Sequence, residues 1–252
     1  MNFSRFIAVP KFRQLCVLFI PFLFTFEASS DNAKPIDQVI VSSRTDWPPY
    51  SYLNKNGELL GSDIAILKAT LNRMNASFDY VTGIPAKRLE KSNHKLGFNT
   101  VLAATYNDKR SKTHYFSKPY RDENVMVYVS NPKYTKYESI EQLLRNGLVG
   151  AINRSAFYGD KFEKLKLALP DSLLHIDTSH RRLELLQTER VDFVINDAGH
   201  MDYLAKTSNN STQVIASFIL QRQNVSFMFL KTDFSANFVK DFNAALTLVL
   251  NE

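Results

Sequence analysis

The sequence predicts an α/β protein folded as two lobes around a cleft. Three observations carry this. Short β-rich runs alternate with longer amphipathic runs, the pattern of mixed α/β folds. The runs fall into two successive sets, the second opening at "LVGAIN". The chain also passes between the sets twice, near residues 121–128 and again near 221–229. Two crossings of that kind divide the chain into a first lobe of residues 31–124 plus 225–252 and a second lobe of residues 125–224.

Taken in order, "QVIVSS" is a strand, followed by a Pro-rich turn at "DWPPYSYLNKNGELLG" in which Asn56-Gly57 marks a tight reversal. From Ser62, "SDIAILKATLNRMN" places Ile64, Leu67, Leu71 and Met74 at helical spacing, with Ser62 or Asp63 as the expected N-cap. "SFDYVTG" reads as a strand, "PAKRLEKSN" as a helix with Pro85 in its first turn, and "FNTVLAAT" as a strand. "VMVYVSN" is a strand, "SIEQLLRNG" a short helix stopped at Gly147, and "LVGAIN" the strand that opens the second set. Next come a helix in "SAFYGDKFEKLKLAL" ended by Pro170, a strand at "LLHID", a helix at "SHRRLELLQTE" and a strand at "VDFVIND". "SFMFLKTD" is a late strand and "FSANFVKDFNAALTLVL" the closing helix.

The first 30 residues read as a removable leader. Arg5, Lys11 and Arg13 precede the apolar run "LCVLFIPFLFTF", and "ASSD" supplies small residues at cleavage spacing, so residues 1–30 are expected to be a secretory signal peptide. The run is shorter than the roughly 20 residues a membrane span needs. Cys16, the only cysteine, lies inside it. The mature chain then has no thiol, which excludes disulfides, thiolate metal sites and cysteine nucleophiles. The net charge of +6 falls to +4 without the leader. Basic and acidic residues alternate through "KFEKLKL" and "HRRLELLQTER", which reads as helix surface and not as a nucleic-acid stripe. The five histidines have no metal-ligand spacing beyond the lone pair His175 and His180, and no Gly-rich phosphate loop or Gly-x-Ser-x-Gly elbow is present.

Chemistry gathers at the predicted strand ends. Arg44 and Trp47 follow the first strand, Thr105 and Arg110 follow "FNTVLAA", Ser155 follows "LVGAIN" and Asp197 ends "VDFVIND". Ligands of open α/β sheets bind beyond such ends. An arginine, a carboxylate, two hydroxyls and an indole suit a small zwitterion. Blander roles stand beside these: Asp197 and Ser155 each suit a helix N-cap, and Trp47 suits the core.

Four motifs in order carry a family resemblance: "WPPYSYLNKNGELLGSDIAIL", "TYNDKRSKTHYFSKPY", "VGAINRS" and "VDFVIND". With them the chain resembles the bacterial periplasmic solute-binding proteins that serve polar amino-acid ABC importers, solute-binding family 3, over nearly all of its mature length. The resemblance implies a type II periplasmic binding protein-like fold, with two lobes joined by a two-segment hinge. It implies a monomer that binds an amino acid without catalysis or a cofactor, and an inner-membrane permease as partner. By that likeness Arg110 holds the ligand α-carboxylate and Asp197 the α-ammonium. Thr105 and Ser155 supply hydroxyl or backbone contacts, and Trp47 an aromatic wall. Ala103 stands where the family often has Ser or Gly, so its backbone carbonyl is the expected contact. Arg44 stands where binders of basic amino acids tend to carry an acid, which points to acidic or neutral polar ligands. A lyase of the cyclohexadienyl dehydratase type, with His200 or Glu90 as acid or base, and a soluble sensing module are the alternatives.

Overall fold

The alternating apolar residues of "VIVS" form the first strand, β1 (Val39–Ser42), with Val39 and Val41 buried. The computed structural model describes residues 38–42, 45–84, 96–154, 156–207 and 214–252. The expected leader, the expected helix at "PAKRLEKSN", Glu90, Arg44 and Ser155 lie outside these residues. After β1, "DWPPYSYLNKNGELL" is more than a turn. It builds a small antiparallel sheet of β2 (Asp46–Trp47), β3 (Ser51–Leu53) and β4 (Leu59–Leu60).

Helix α1 (Ser62–Arg73) buries Ile64, Leu67 and Leu71, as their spacing predicts. The expected side-chain cap is absent. Gly61 is the N-cap, with φ of 128°, and a Cβ there would overlap the Tyr50 carbonyl. Asp63 instead turns inward, fully buried, because Arg121 and Tyr120 wait there to bind it. Next come β5 (Phe78–Val81), β6 (Thr100–Ala104), the short helix α2 (Asp108–Ser111) and β7 (His114–Phe116). The basic run is thus a helical turn, capped by Asn107 Oδ1 accepting from the Arg110 N–H at 2.8 Å. Lys109 and Lys112 are exposed.

The second set comprises β8 (Arg121–Val129), α3 (Ile140–Arg145), β9 (Gly150–Ile152), α4 (Asp160–Ala168), β10 (Leu173–His175), α5 (Ser179–Gln187), β11 (Phe193–Asp197) and α6 (Ala198–Thr207). Helix α4 starts after Gly159, at φ of 89°, four residues later than "SAFYGDKF" predicts. The chain returns along β12 (Ile215–Leu230) and closes with α7 (Ala236–Leu250). Strand β12 is 16 residues long, twice the expected "SFMFLKTD". Its first part, interrupted by Gln221 and Gln223, is held by antiparallel pairing with β8 from Ile215↔Val129 to Val225↔Arg121.

Among the described residues the main sheet runs β10-β9-β11-β8-β12-β6-β1-β5, with β7 also on β12. Only β12 belongs to both halves: its first part pairs with β8, its last residues with β6 and β7. The apolar cores divide accordingly. One holds Val41, Leu67 and Leu71 with Phe227, Phe229, Phe242 and Leu246. Phe229 and Phe242 meet edge to face at 4.9 Å between centroids, and this contact pins α7. Burying each such ring is worth about 1.5–3 kcal/mol. The other half is built on Val127, Leu143, Ile152, Phe193 and Ile195, with a satellite around Leu183, Leu186 and Val194. One reading of helix surface is overturned here. Arg182 in "HRRLELLQTER" is 1 % exposed, because it shares a helix face with Ser179, Leu183 and Leu186, all buried.

Candidate functional site

A cavity of about 160 Å³ opens where the strand ends of the two halves face each other. It is lined by residues at the end of β6 and in α2, by Asn153, Ala156, Phe157 and Tyr158, and by the end of β11. Glu123 and Val125 of β8 and Gln223 and Met228 of β12 also line it. Five of the seven residues predicted for the site line this cavity: Trp47, Ala103, Thr105, Arg110 and Asp197. Arg44 and Ser155 fall outside the described residues, although Ala156 beside Ser155 does line it.

Arg110 is half-buried, and its Nη1 donates to the Thr105 carbonyl at 2.9 Å. The guanidinium is therefore aimed before any ligand arrives. Ala103 carries φ of 48°, the left-handed region, which costs a non-glycine residue roughly 1–2 kcal/mol. The strain is held by the buried Tyr120 hydroxyl, which accepts from the Ala103 N–H at 3.0 Å and donates to Asp63 Oδ2 at 2.8 Å.

Asp197 plays two parts. It caps α6 by accepting from the His200 N–H at 2.8 Å, and it lines the cavity while only 6 % exposed. The Tyr50 phenol also donates to it. Burial holds the Asp197 carboxyl above its ordinary range, opposed by these donors and by nearby Arg121. Burial and the adjacent carboxylate in turn keep the Tyr50 phenol protonated. Gly199 permits this approach, since a Cβ there would overlap the Tyr50 hydroxyl.

Sequence reasoning missed the support around these groups. Arg121 binds Asp63 through Nε at 2.9 Å and Nη2 at 3.3 Å. Its guanidinium lies 3.8 Å from the centre of the Tyr50 ring and 5.1 Å from that of Trp47, a cation–π arrangement. Trp47, 5 % exposed, is thus both wall and core. The fully buried His200 does not line the cavity, and its Nδ1 meets the Pro48 carbonyl at 2.5 Å, so Nδ1 carries the proton. Arg182 also lines the cavity. It donates to the Ile176 carbonyl at 2.8 Å, to Ser179 Oγ at 2.8 Å and to Asn196 Oδ1 at 3.3 Å. That fixes the Asn196 amide, whose Nδ2 is buried without a hydrogen-bond partner among the described residues. The i, i+3, i+4 spacing of Ser179, Arg182 and Leu183 was the signal available for Arg182; Glu123 and Gln223 had none within a single segment. Among the described residues no three His, Cys, Asp or Glu side chains gather as a metal site, and no helix is long and apolar enough to cross a membrane.

An α/β scaffold whose main sheet is bridged by β12, with a charged cavity at the strand ends, has the type II periplasmic binding protein-like fold. Residues 39–247 match the bacterial extracellular solute-binding proteins, family 3, and the chain belongs to that family. It is 24% identical over 212 residues to the L-cystine-binding protein TcyJ of Bacillus subtilis (strain 168), covering 81% of this chain and 77% of that one. Its fold is similar to a histidine kinase sensor domain with similarity to periplasmic binding proteins, at a TM-score of 0.73 and 16% identity over 85% of this chain and 91% of that one. It is also similar to the ancestral amino acid-binding protein AncCDT-1, a precursor of cyclohexadienyl dehydratase, at a TM-score of 0.69 and 20% identity over 85% and 90%.

Proposed function

We propose that this chain is exported and captures a small polar amino acid between its lobes, residues 31–124 plus 225–252 and residues 125–224, for delivery to an ABC-type permease. The observation that supports the reading is that Arg110, in the helix beyond β6, and Asp197, at the end of β11, line one cavity. A bidentate arginine suits the α-carboxylate, and a buried aspartate suits the α-ammonium. Thr105 and the Ala103 backbone add to the cavity lining, and Trp47 closes the apolar side. With the ligand groups divided between the lobes, closure completes the site. Ser155 and Arg44 belong to the same reading by their positions in the sequence.

A lyase needs a proton donor or acceptor beside the ligand. His200 is committed to Pro48 and stands away from the cavity. Glu123 lines it, but its carboxyl already accepts from the Gln223 amide. A binding role suits both residues better. The test is a thermal-shift screen of the purified mature chain against the twenty amino acids and L-cystine. A ligand at about 100 times its dissociation constant adds about 2.7 kcal/mol of stability. A screen without any shift, or a bound amino acid recovered chemically altered, refutes the reading.

A further inference from the structure

Asp197 has a neighbour that neither its capping role nor the proposed ammonium contact requires. Tyr50, in the turn between β2 and β3, donates its phenol to this carboxylate at the end of β11. Both segments are shaped for the approach. A Cβ on Gly199 would stand 2.4 Å from the Tyr50 hydroxyl and 3.6 Å from Asp197 Oδ1, so the glycine leaves the hydroxyl its room. The Arg121 guanidinium lies 3.8 Å from the centre of the Tyr50 ring, and Trp47 packs on that ring at 4.9 Å between centroids. A second bond ties the same two segments, which are 152 residues apart: His200 Nδ1 donates to the Pro48 carbonyl at 2.5 Å. Tyr50 itself does not line the cavity, whereas Asp197 does.

An ionised carboxylate only accepts, so a hydroxyl donating to it favours the charged form. Asp197 is buried, and burial works against its charge. Asp63 of α1 also opposes ionisation, while Arg121 of β8, the His200 N–H and the Tyr50 hydroxyl support it. Tyr128 of β8 faces both Asp197 and Asp202, which with burial hold its phenol protonated. Glu123 acts on Tyr50, and Arg110, Glu123 and Arg182 line the same cavity. Of the groups that support the charge, the His200 N–H is main chain and Arg121 is bound to Asp63. The phenol is the contribution that a side-chain change removes by itself.

We propose that Tyr50 is a positioning residue for ligand capture, whose hydroxyl holds Asp197 as an oriented carboxylate ready to accept the α-ammonium. It acts through Asp197 and does not touch the ligand. This rests on the proposed seating of the ammonium on Asp197.

The test is Tyr50→Phe, which keeps the ring beneath Arg121 and removes the hydroxyl alone. Wild type and variant are compared by calorimetry between pH 4 and 8, with each of the twenty amino acids and L-cystine that shifts the wild type in the thermal screen. Affinity falls as pH drops through the Asp197 pKa, and loss of a donor to the charged form raises that pKa. The fall is therefore expected to begin about one pH unit higher in the variant, making its binding about tenfold weaker on the falling limb. Carbon-13 NMR of the ligand-free chain should show the Asp197 carboxyl midpoint rising by the same amount. In an Asp197→Asn background Tyr50→Phe should leave the pH profile unchanged. A loss of affinity equal at every pH, as lost packing alone would give, overturns the positioning role while leaving the amino-acid reading intact. So does an unmoved Asp197 midpoint, or tighter binding by the variant, which would make the phenol a competitor of the ammonium. A wild type that binds none of these amino acids overturns the amino-acid reading and the role in capture with it.

Discussion

Asp63 offers the sharpest separation between two roles, because their energetic costs differ several-fold. It sits in the first turn of α1, where a carboxylate acting on the helix end alone contributes about 0.3–1 kcal/mol, and a capping side chain typically about 1 kcal/mol. In the structure it is fully buried and accepts from Arg121 Nε at 2.9 Å, Arg121 Nη2 at 3.3 Å and the Tyr120 hydroxyl at 2.8 Å. Replacing one member of a buried pair strands the other, at about 3–5 kcal/mol. The Arg121 side chain keeps 13% of its exposure, so water offsets part of that loss. Asp63→Ala is therefore expected to cost about 3 kcal/mol, near the lower end of the range. The assay is urea unfolding of the ligand-free mature chain, with the midpoint falling by about 1–3 M for ordinary urea slopes. The damage should reach the site as well: Tyr120 would lose its acceptor and with it the anchor of the strained Ala103, and Arg121 its fixed place over Tyr50. Adding Arg121→Met should recover part of the stability, since no stranded charge remains. A loss below about 1 kcal/mol, or a double variant no better than the single, refutes the buried-bridge account.

Further outcomes are expected at the cavity. Arg110→Ala and Asp197→Ala should each weaken amino-acid binding by about 30-fold to several thousand-fold. Arg110→Lys should also be poor, because a point charge lacks the planar fork; calorimetry near wild type for any of the three contradicts the assignment. Affinity should fall on acidification as pH drops through the Asp197 pKa, which burial places above the ordinary 3.8, because protonation removes the partner of the ligand ammonium. In the ligand-free protein the sign is opposite. With the folded pKa raised, the stability contribution of Asp197 is fully present below the unfolded pKa and lost as pH rises through the folded one. Asp197→Asn keeps a capping side chain and should flatten both trends. Small-angle scattering should show a smaller radius of gyration at ligand saturation, and an unchanged profile with binding confirmed rules out closure. Intact mass of the exported protein should begin near Asp31; a retained leader contradicts export by cleavage.

Much of the architecture was written in local pattern. The 3.6-residue spacing of Ile64, Leu67 and Leu71 and the strands at "VIVS" and "VDFVIND" needed only neighbours in the chain. Arg110 and Asp197 were legible as cavity residues because one lies just beyond a strand and the other closes one. The tertiary structure decided what depends on partners far apart in sequence. Asp63 looked like a cap until Arg121, 58 residues on, turned it inward. Arg182 looked like surface because charges flank it, and only the packing of α5 onto the sheet buries it. Glu123 and Gln223 lie 100 residues apart and became a pair through the β8–β12 register. Helical spacing and strand ends express backbone geometry that every short segment carries with it. The burial of a charge instead costs too much to occur without a partner, and the segments that supply such partners meet only in the folded chain.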